Sequence, residues 1–283
     1  MSQKFNTNLE HKVILDFGHE WNYLNQSTIN NKTLNNAFNQ YFKIFPKSYL
    51  NKNLEGFDMG CGSGRWAKII APKVRRLNCL DPSIEALNVA KKNLKKYKNV
   101  FFYNKGVNAN ALKKNSQDFG YCLGVLHHIL NTSGGIKSCY KILKKNSPFL
   151  IYLYYKFDNK PLWFKLIWIF SDLLRKFISC LPFSIKKNIT FFIALIIYYP
   201  LSRISKILFE FGFNVRNFPL SDYKDKSFYF MITDSLDRFG TKLEKRFTKK
   251  EIKQMLIKAG FQDIKFNNQA PYWVAIAWKK KLT

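Results

Sequence analysis

The stretch Leu54-Glu55-Gly56-Phe57-Asp58-Met59-Gly60-Cys61-Gly62-Ser63-Gly64-Arg65-Trp66 constrains the fold more than any other part of the chain. An extended segment ends on an acid, passes through glycines at every second position and enters helix-like sequence. Glycines at a strand-to-helix turn let the backbone reach positive φ and let a ligand approach without meeting a Cβ. The spacing Gly60-x-Gly62-x-Gly64 differs from the dinucleotide fingerprint, whose third glycine falls one residue later. Asp58, two positions before the first glycine, suits a ligand with an amine and a positive centre rather than a pyrophosphate.

About twenty residues later, Arg76-Leu77-Asn78-Cys79-Leu80-Asp81 is a short run that again ends in a carboxylate. In nucleoside-binding α/β folds an acid at the end of the second strand accepts hydrogen bonds from ribose hydroxyls. Pro82 suits the first turn of the helix that follows, and Ile84, Leu87, Val89, Leu94 and Tyr97 space apolar groups along it. Asp81 read alone also fits a helix N-cap.

Two further segments complete a pattern. Gln117-Asp118-Phe119-Gly120-Tyr121-Cys122-Leu123-Gly124-Val125-Leu126-His127-His128-Ile129 reads as a buried strand opening into a loop. Lys141-Ile142-Leu143-Lys144-Lys145-Asn146-Ser147-Pro148-Phe149-Leu150 reads as a helix-to-strand turn. In this order, over 54–155, these segments resemble the class I S-adenosylmethionine (SAM)-dependent methyltransferases, in particular the UbiE-like (methyltransferase type 11) branch. Asn146-Ser147-Pro148 stands where that branch carries Pro-Gly-Gly.

The resemblance implies a transferase with SAM as cofactor. It places Asp58 at the methionine end of the cofactor, the backbone of Gly60, Cys61, Gly62, Ser63 and Gly64 beneath it, and Asp81 with Pro82 at the ribose. It places Val107 and Asn108 near the adenine, where relatives carry an acid. It also brings Gly124 and Val125 to the cofactor and sets Trp21, within Phe17-Gly18-His19-Glu20-Trp21, over it; ordinary core packing is the alternative for Trp21. His127 and His128 are candidate bases for removing a hydroxyl proton, since imidazole titrates near neutrality. The competing reading has one packed against the cofactor and the other bonded to backbone. Asn131 stands where relatives often carry Asp. No metal site is expected.

Strands expected over about 55–59, 75–81, 99–103, 118–123 and 148–155 alternate with helices, and 261–266 and 272–278 supply two more. The expected architecture is α/β: a doubly wound, Rossmann-like, seven-stranded, mostly parallel sheet with a helical insertion. The expected organisation is an N-terminal helical cap segment (1–50), a SAM-binding core (51–155), the insertion (156–233) and the C-terminal part of the core (234–283). A capping box at Thr248 and Glu251 opens the last helix, and Gly260 closes it. Asp234 to Gly240 reads as a loop.

The insertion carries two strongly apolar helix-like runs, Pro161–Phe170 and Ile189–Pro200. Each is shorter than a bilayer span, with lysines and Pro200 at or within its bounds. It reads as a buried cap over the site or as a segment lying at a membrane interface.

The 283 residues include 47 basic and 18 acidic side chains, a net charge of +29. Eight of the 47 are arginine, leaving 39 lysines spread over the chain. A phosphate-reading surface concentrates arginine, whose planar fork pairs phosphate in bidentate fashion, so nucleic acid is disfavoured as partner. An anionic membrane surface fits the charge at least as well. Five cysteines, an odd number without a C-x-x-C pair, and a polar Met1 to Glu20 point to a reduced, cytoplasmic setting, with the inner face of a membrane as an alternative.

The C-terminal half is also similar to methyltransferases of the surface-polysaccharide-associated kind, through Leu150–Tyr155, Leu220–Tyr229 and Asp237–Thr241. That implies a small-molecule acceptor of glycan, nucleotide-sugar or lipid-linked sugar type. A quinone-type or other lipophilic acceptor is the alternative, and RNA comes third. A non-enzymatic scaffold is disfavoured by the intact Asp58, glycines and Asp81.

Overall fold

A computed structural model describes residues 2–27, 29–109 and 111–280. They pack into two compact units: residues up to Lys156 together with those from Lys245 on, and Phe157–Glu244.

The first unit opens with α1 (Ser2–Tyr23) and α2 (Asn31–Tyr41), the latter capped by Asn30, whose side chain accepts from the Lys32 N–H. Strand and helix then alternate through β1 (Glu55–Met59), α3 (Ala67–Ile70), β2 (Arg76–Asp81), α4 (Ile84–Asn93), β3 (Val100–Asn104), β4 (Phe119–Leu123), α5 (Thr132–Ile142) and β5 (Ser147–Tyr152). Four helices of the second unit follow: α6 (Leu162–Ile178), α7 (Phe183–Ile193), α8 (Tyr199–Glu210) and α9 (Phe228–Gly240). The chain then returns through α10 (Lys249–Ala259), β6 (Gln262–Phe266) and β7 (Ala275–Lys279).

The seven strands form one sheet in the order β3-β2-β1-β4-β5-β7-β6, parallel except for the antiparallel pairings of β7. This is the doubly wound sheet expected from the alternation. Reversal of strand order beside β1 leaves a crevice at the carboxyl ends of β1 and β4, where such folds bind ligands.

Central β1 and β4 interlock through aromatic and glycine pairs. In register, Gly56 faces Phe119 and Phe57 faces Gly120. A Cβ on Gly56 would fall 2.2 Å from the Phe119 ring, and one on Gly120 would fall 2.1 Å from the Phe57 ring. Each ring lies over the backbone of its partner, so the two strands bury two phenylalanines without spreading. Gly56→Ala or Gly120→Ala should therefore destabilise the fold by about 1–3 kcal/mol, the usual cost of overpacking, read as a lower denaturant midpoint.

Several local expectations hold. The Thr248–Glu251 capping box forms, and Gly260 closes α10 with φ +104°. Asn146, at the turn before β5, adopts φ +60° and donates its N–H to Lys279 O at 2.6 Å, tying β5 to β7. Asn131 caps α5 by accepting from the Gly134 N–H at 2.8 Å. Pro82 departs from expectation: Ser83 is the N-cap of α4, and Pro82 precedes it.

Phe17–Trp21 lies inside α1, where the sequence shows no clear amphipathic repeat; the helix is held by packing along α4. In the second unit, Asp234 to Gly240 is the last part of α9, not a loop, because Phe230, Met231, Leu236 and Phe239 are buried along one helix. Pro200 does not end its helix either. A π-turn at Ala194–Tyr198 joins α7 to α8, and Pro200 sits in the first turn of α8, where its missing N–H is tolerated.

Candidate functional site

The glycine turn follows β1 as the spacing predicts. Gly60, Gly62 and Gly64 have φ of +76°, +53° and +78°. Its backbone is anchored from below: the N–H groups of Gly60 and Cys61 both donate to Leu80 O, at 2.7 and 3.0 Å. A Cβ on Gly60 would lie 2.4 Å from Val125, and one on Gly62 would lie 2.9 Å from the Trp21 indole. Trp21 thus meets the turn across Gly62, while the Arg65 guanidinium lies 5.6 Å from the centre of the same indole and 4.6 Å from that of Trp66. Gly62→Val should abolish S-adenosylhomocysteine binding in calorimetry, because a branched side chain at positive φ both strains the turn and displaces Trp21.

Two carboxylates flank this turn. Asp81, at the end of β2, accepts from the Gly62 N–H and the Ser83 N–H, both at 2.9 Å. Burial raises its pKa to about 6, opposed by those two N–H groups. Asp58 is 1% exposed, and its Oδ2 has no hydrogen-bond partner. Burial, with a further contribution from the Asp81 charge, pushes its pKa to about 8 against the Tyr121 hydroxyl and Arg65. The Tyr121 hydroxyl lies close enough to favour the carboxylate, yet neither it nor Asp58 Oδ2 completes a well-aligned hydrogen bond. Asp58 is therefore a buried acid whose charge Arg65 and Tyr121 offset only in part.

Cys61 and Ser63 are buried in the turn, and the Ser63 hydroxyl donates to Gln26 Oε1 at 3.3 Å. The contact with the Cys79 thiol, then burial, raises the Cys61 thiol well above its ordinary value, so it stays neutral at pH 7. Gly124 has φ +78° with open space where a Cβ would be, and Val125 packs against Gly60. Asn108 is exposed, and its Oδ1 accepts from the Ser138 hydroxyl at 3.4 Å, which leaves its amide N–H groups as the remaining donors; Val107 packs near Gly135. The sequence-predicted residues thus gather at the carboxyl ends of β1, β2 and β4, with Asn108 at the rim.

His127 and His128 lie in a single 3₁₀ turn after β4. His127 is fully buried, its ring stacked on Tyr154 with centroids 3.8 Å apart, and neither of its nitrogens has a hydrogen-bond partner. Burial, then the charges of His128 and Arg246, hold its pKa well below the ordinary imidazole value, so the ring is neutral at pH 7. His128 takes the edge of Phe17 at 4.8 Å. Tyr121, Tyr154 and Phe17 were not among the residues anticipated for the site. Tyr121 is the cross-strand partner of Asp58, a relation that only the β1–β4 register reveals.

The site fits SAM. A buried carboxyl beside a glycine turn, its charge only partly offset, calls for a cationic group, and the second carboxylate retains lone pairs for hydroxyl donors.

The profile of the family described as "Methyltransferase domain" matches residues 57–151. No curated protein matches the chain by sequence. Among solved structures, a chain of the complex between the Haloferax volcanii Trm112 methyltransferase activator and a methyltransferase is 11% identical, with TM-score 0.54, covering 94% of this chain and 98% of that one. A Bordetella parapertussis protein described as a possible exported protein is also 11% identical, with TM-score 0.52, covering 87% and 68%. At these identities the likeness extends to the fold. Residues 57–151 thus match a methyltransferase-domain family, set in a Rossmann-like seven-stranded sheet.

Proposed function

We propose that the chain transfers the methyl group of SAM to a small-molecule acceptor of glycan, nucleotide-sugar or lipid-linked sugar type. The observation that carries the reading is Asp58, buried beside the glycine turn with its Oδ2 unpartnered and its charge only partly offset. SAM supplies an activated methyl on a sulfonium, so positioning and exclusion of water account for most of the rate. Asp58 binds the amino end, the backbone of Gly60 to Gly62 lies under it, and Asp81 accepts from ribose hydroxyls with the lone pairs its two backbone N–H donors leave. With a hydroxyl acceptor, an imidazole nitrogen of His127 or His128 would take the hydroxyl proton as the methyl group is transferred from the sulfonium. An amine or carbon acceptor needs no such base. The motifs at Leu150–Tyr155 and Asp237–Thr241 favour the sugar reading.

The apolar exterior of the second unit favours a second reading, a quinone-type or other lipophilic acceptor.

Calorimetry distinguishes the cofactor: S-adenosylhomocysteine should bind and NAD should not, and NAD binding as tightly would overturn the assignment. Methyl transfer from labelled SAM to nucleotide-sugars, polyprenyl-linked sugars, quinols and RNA then sorts the acceptors. Labelling of RNA alone would overturn the small-molecule reading.

A further inference from the structure

The second unit buries a small apolar core of Ile178, Ile193, Ala194, Tyr198, Met231 and Phe239, yet beside it its helices bury polar groups and leave apolar stripes outside. Helices of water-soluble units turn apolar residues inward and polar ones outward. In α6 the inward stripe includes Ser171, Asp172 and Arg175, with Arg175 buried and donating to Asp172 at 2.7 Å and to Thr241 O at 3.0 Å. Its outward stripe is Leu166, Phe170, Leu173 and Phe177, spaced four, three and four residues apart; Phe170 is 72% exposed and Phe177 is 68% exposed.

The continuous helix Phe183–Glu210 repeats the arrangement. Lys186, Thr190, Ser202 and Ser205 are buried, while Phe192 and Ile196 are 55% and 67% exposed. Three of the four are bonded within the unit: Lys186 donates to Gly240 O at 3.0 Å, Thr190 O accepts from the Ser235 hydroxyl at 2.9 Å and the Ser202 hydroxyl donates to Tyr199 O at 2.8 Å, while the buried Ser205 hydroxyl has no partner. Internal hydrogen bonds among polar side chains under an apolar exterior are what a hydrocarbon surrounding demands.

We propose that this unit docks on an anionic lipid bilayer, with the outward faces of α6 and of helix Phe183–Glu210 lying in the headgroup–acyl boundary. Charge points to the lipid: residues 157–244 carry 13 basic against 8 acidic side chains, and each apolar face is bracketed by lysines, Lys165 and Lys176 on α6, Lys187 and Lys206 on the longer helix, of which Lys176 pairs with Asp172 and Lys206 with Glu210. Lysine stems lie along apolar surface while their heads reach anionic headgroups. Length points to lying in the interface rather than spanning. Phe183–Glu210 is long and apolar enough, by length and composition, to cross a membrane. Yet from Lys187 to Arg203 it rises only about 24 Å, short of the ~30 Å hydrocarbon core. Arg203, moreover, is held by Lys224 O at 2.9 Å and Lys226 O at 3.0 Å, contacts that spanning would carry into hydrocarbon. A monotopic seat satisfies both faces. The inference stands apart from the choice of acceptor.

The test is flotation of the full chain with vesicles of phosphatidylcholine alone and of phosphatidylcholine mixed with phosphatidylglycerol. Partition into the anionic vesicles should be at least about tenfold stronger and should fall as salt is raised, since the lysine contribution is screened within a Debye length. Phe170→Glu with Phe177→Glu, both at exposed positions, should lower partition at least about tenfold while leaving S-adenosylhomocysteine affinity and melting temperature unchanged. Alkaline carbonate should release the wild-type chain. Absence of partition into either vesicle, or equal partition of the double variant, overturns the proposal. Carbonate-resistant retention overturns it in favour of a spanning helix. A stable dimer in sedimentation equilibrium, dissociated by the same substitutions without any vesicle binding, overturns it in favour of a second copy. Cofactor binding is read separately, so failure here leaves the methyl-transfer reading standing.

Discussion

Affinity for S-adenosylhomocysteine should rise about tenfold per pH unit between pH 6 and pH 8 and level off above, because the ligand's ammonium needs Asp58 ionised. In the free protein the Asp58 pKa is about 8, so at pH 7 its carboxyl is mostly protonated. Binding must then expel about one proton per ligand, measurable as a dependence of calorimetric enthalpy on buffer ionisation. A flat affinity profile with no proton release would remove Asp58 from the amino-end contact. The same shift acts on stability. The folded pKa lies above the value of 3.8 for an unperturbed aspartate, so the folded chain holds a proton that the unfolded chain has released. This contribution is fully present below about pH 4 and is lost as pH rises through about 8. Asp58→Asn, keeping the shape without the charge, should therefore raise the melting temperature at pH 8, on the order of a few kcal/mol of stability, while lowering ligand affinity. Stabilisation together with lost binding is what distinguishes a site held ready for a cation from ordinary core.

The second large effect is on turnover. If the acceptor is a hydroxyl, His127→Ala or His128→Ala should lower kcat by about 10²–10⁴-fold with S-adenosylhomocysteine affinity nearly unchanged. His127 is fully buried and stacked on Tyr154, so its loss also leaves a cavity. His127→Gln, which fills the space but is no base, separates the two effects. Because burial keeps His127 neutral, loss of its activity to protonation should appear only well below pH 6.5. Full turnover in both alanine variants would turn the acceptor toward an amine or carbon.

The legibility of the site differs residue by residue. Asp58, the three glycines and Asp81 could be grouped from the sequence because their arrangement depends on local spacing: strand, acid, turn, and a second acid at the end of the next strand. Asn131 differs, since its type suggested a departure from relatives whereas its position makes it the cap of α5. Tyr121 carried no local signal. Its relation to Asp58 exists only because β1 and β4, some sixty residues apart in sequence, lie in register. Asn108 drew attention by its place after β3, and only packing showed its side-chain oxygen turned to Ser138.

The insertion divides along the same line. Its apolar runs were plain in the sequence, but a run of Phe, Ile and Leu does not say which of its faces is covered. The sequence by itself determined the alternation of strand and helix, the acid and glycine turn, and hence the sheet and its cofactor, because these depend on residues near one another in the chain. Tertiary structure alone decided that Asp58 would be buried with an unpartnered oxygen, that His127 would be sealed against Tyr154, and that serine, threonine and arginine would face inward beneath exposed phenylalanines. Burial is set by what packs from elsewhere in the chain, and with it the electrostatics and the face left to meet a partner.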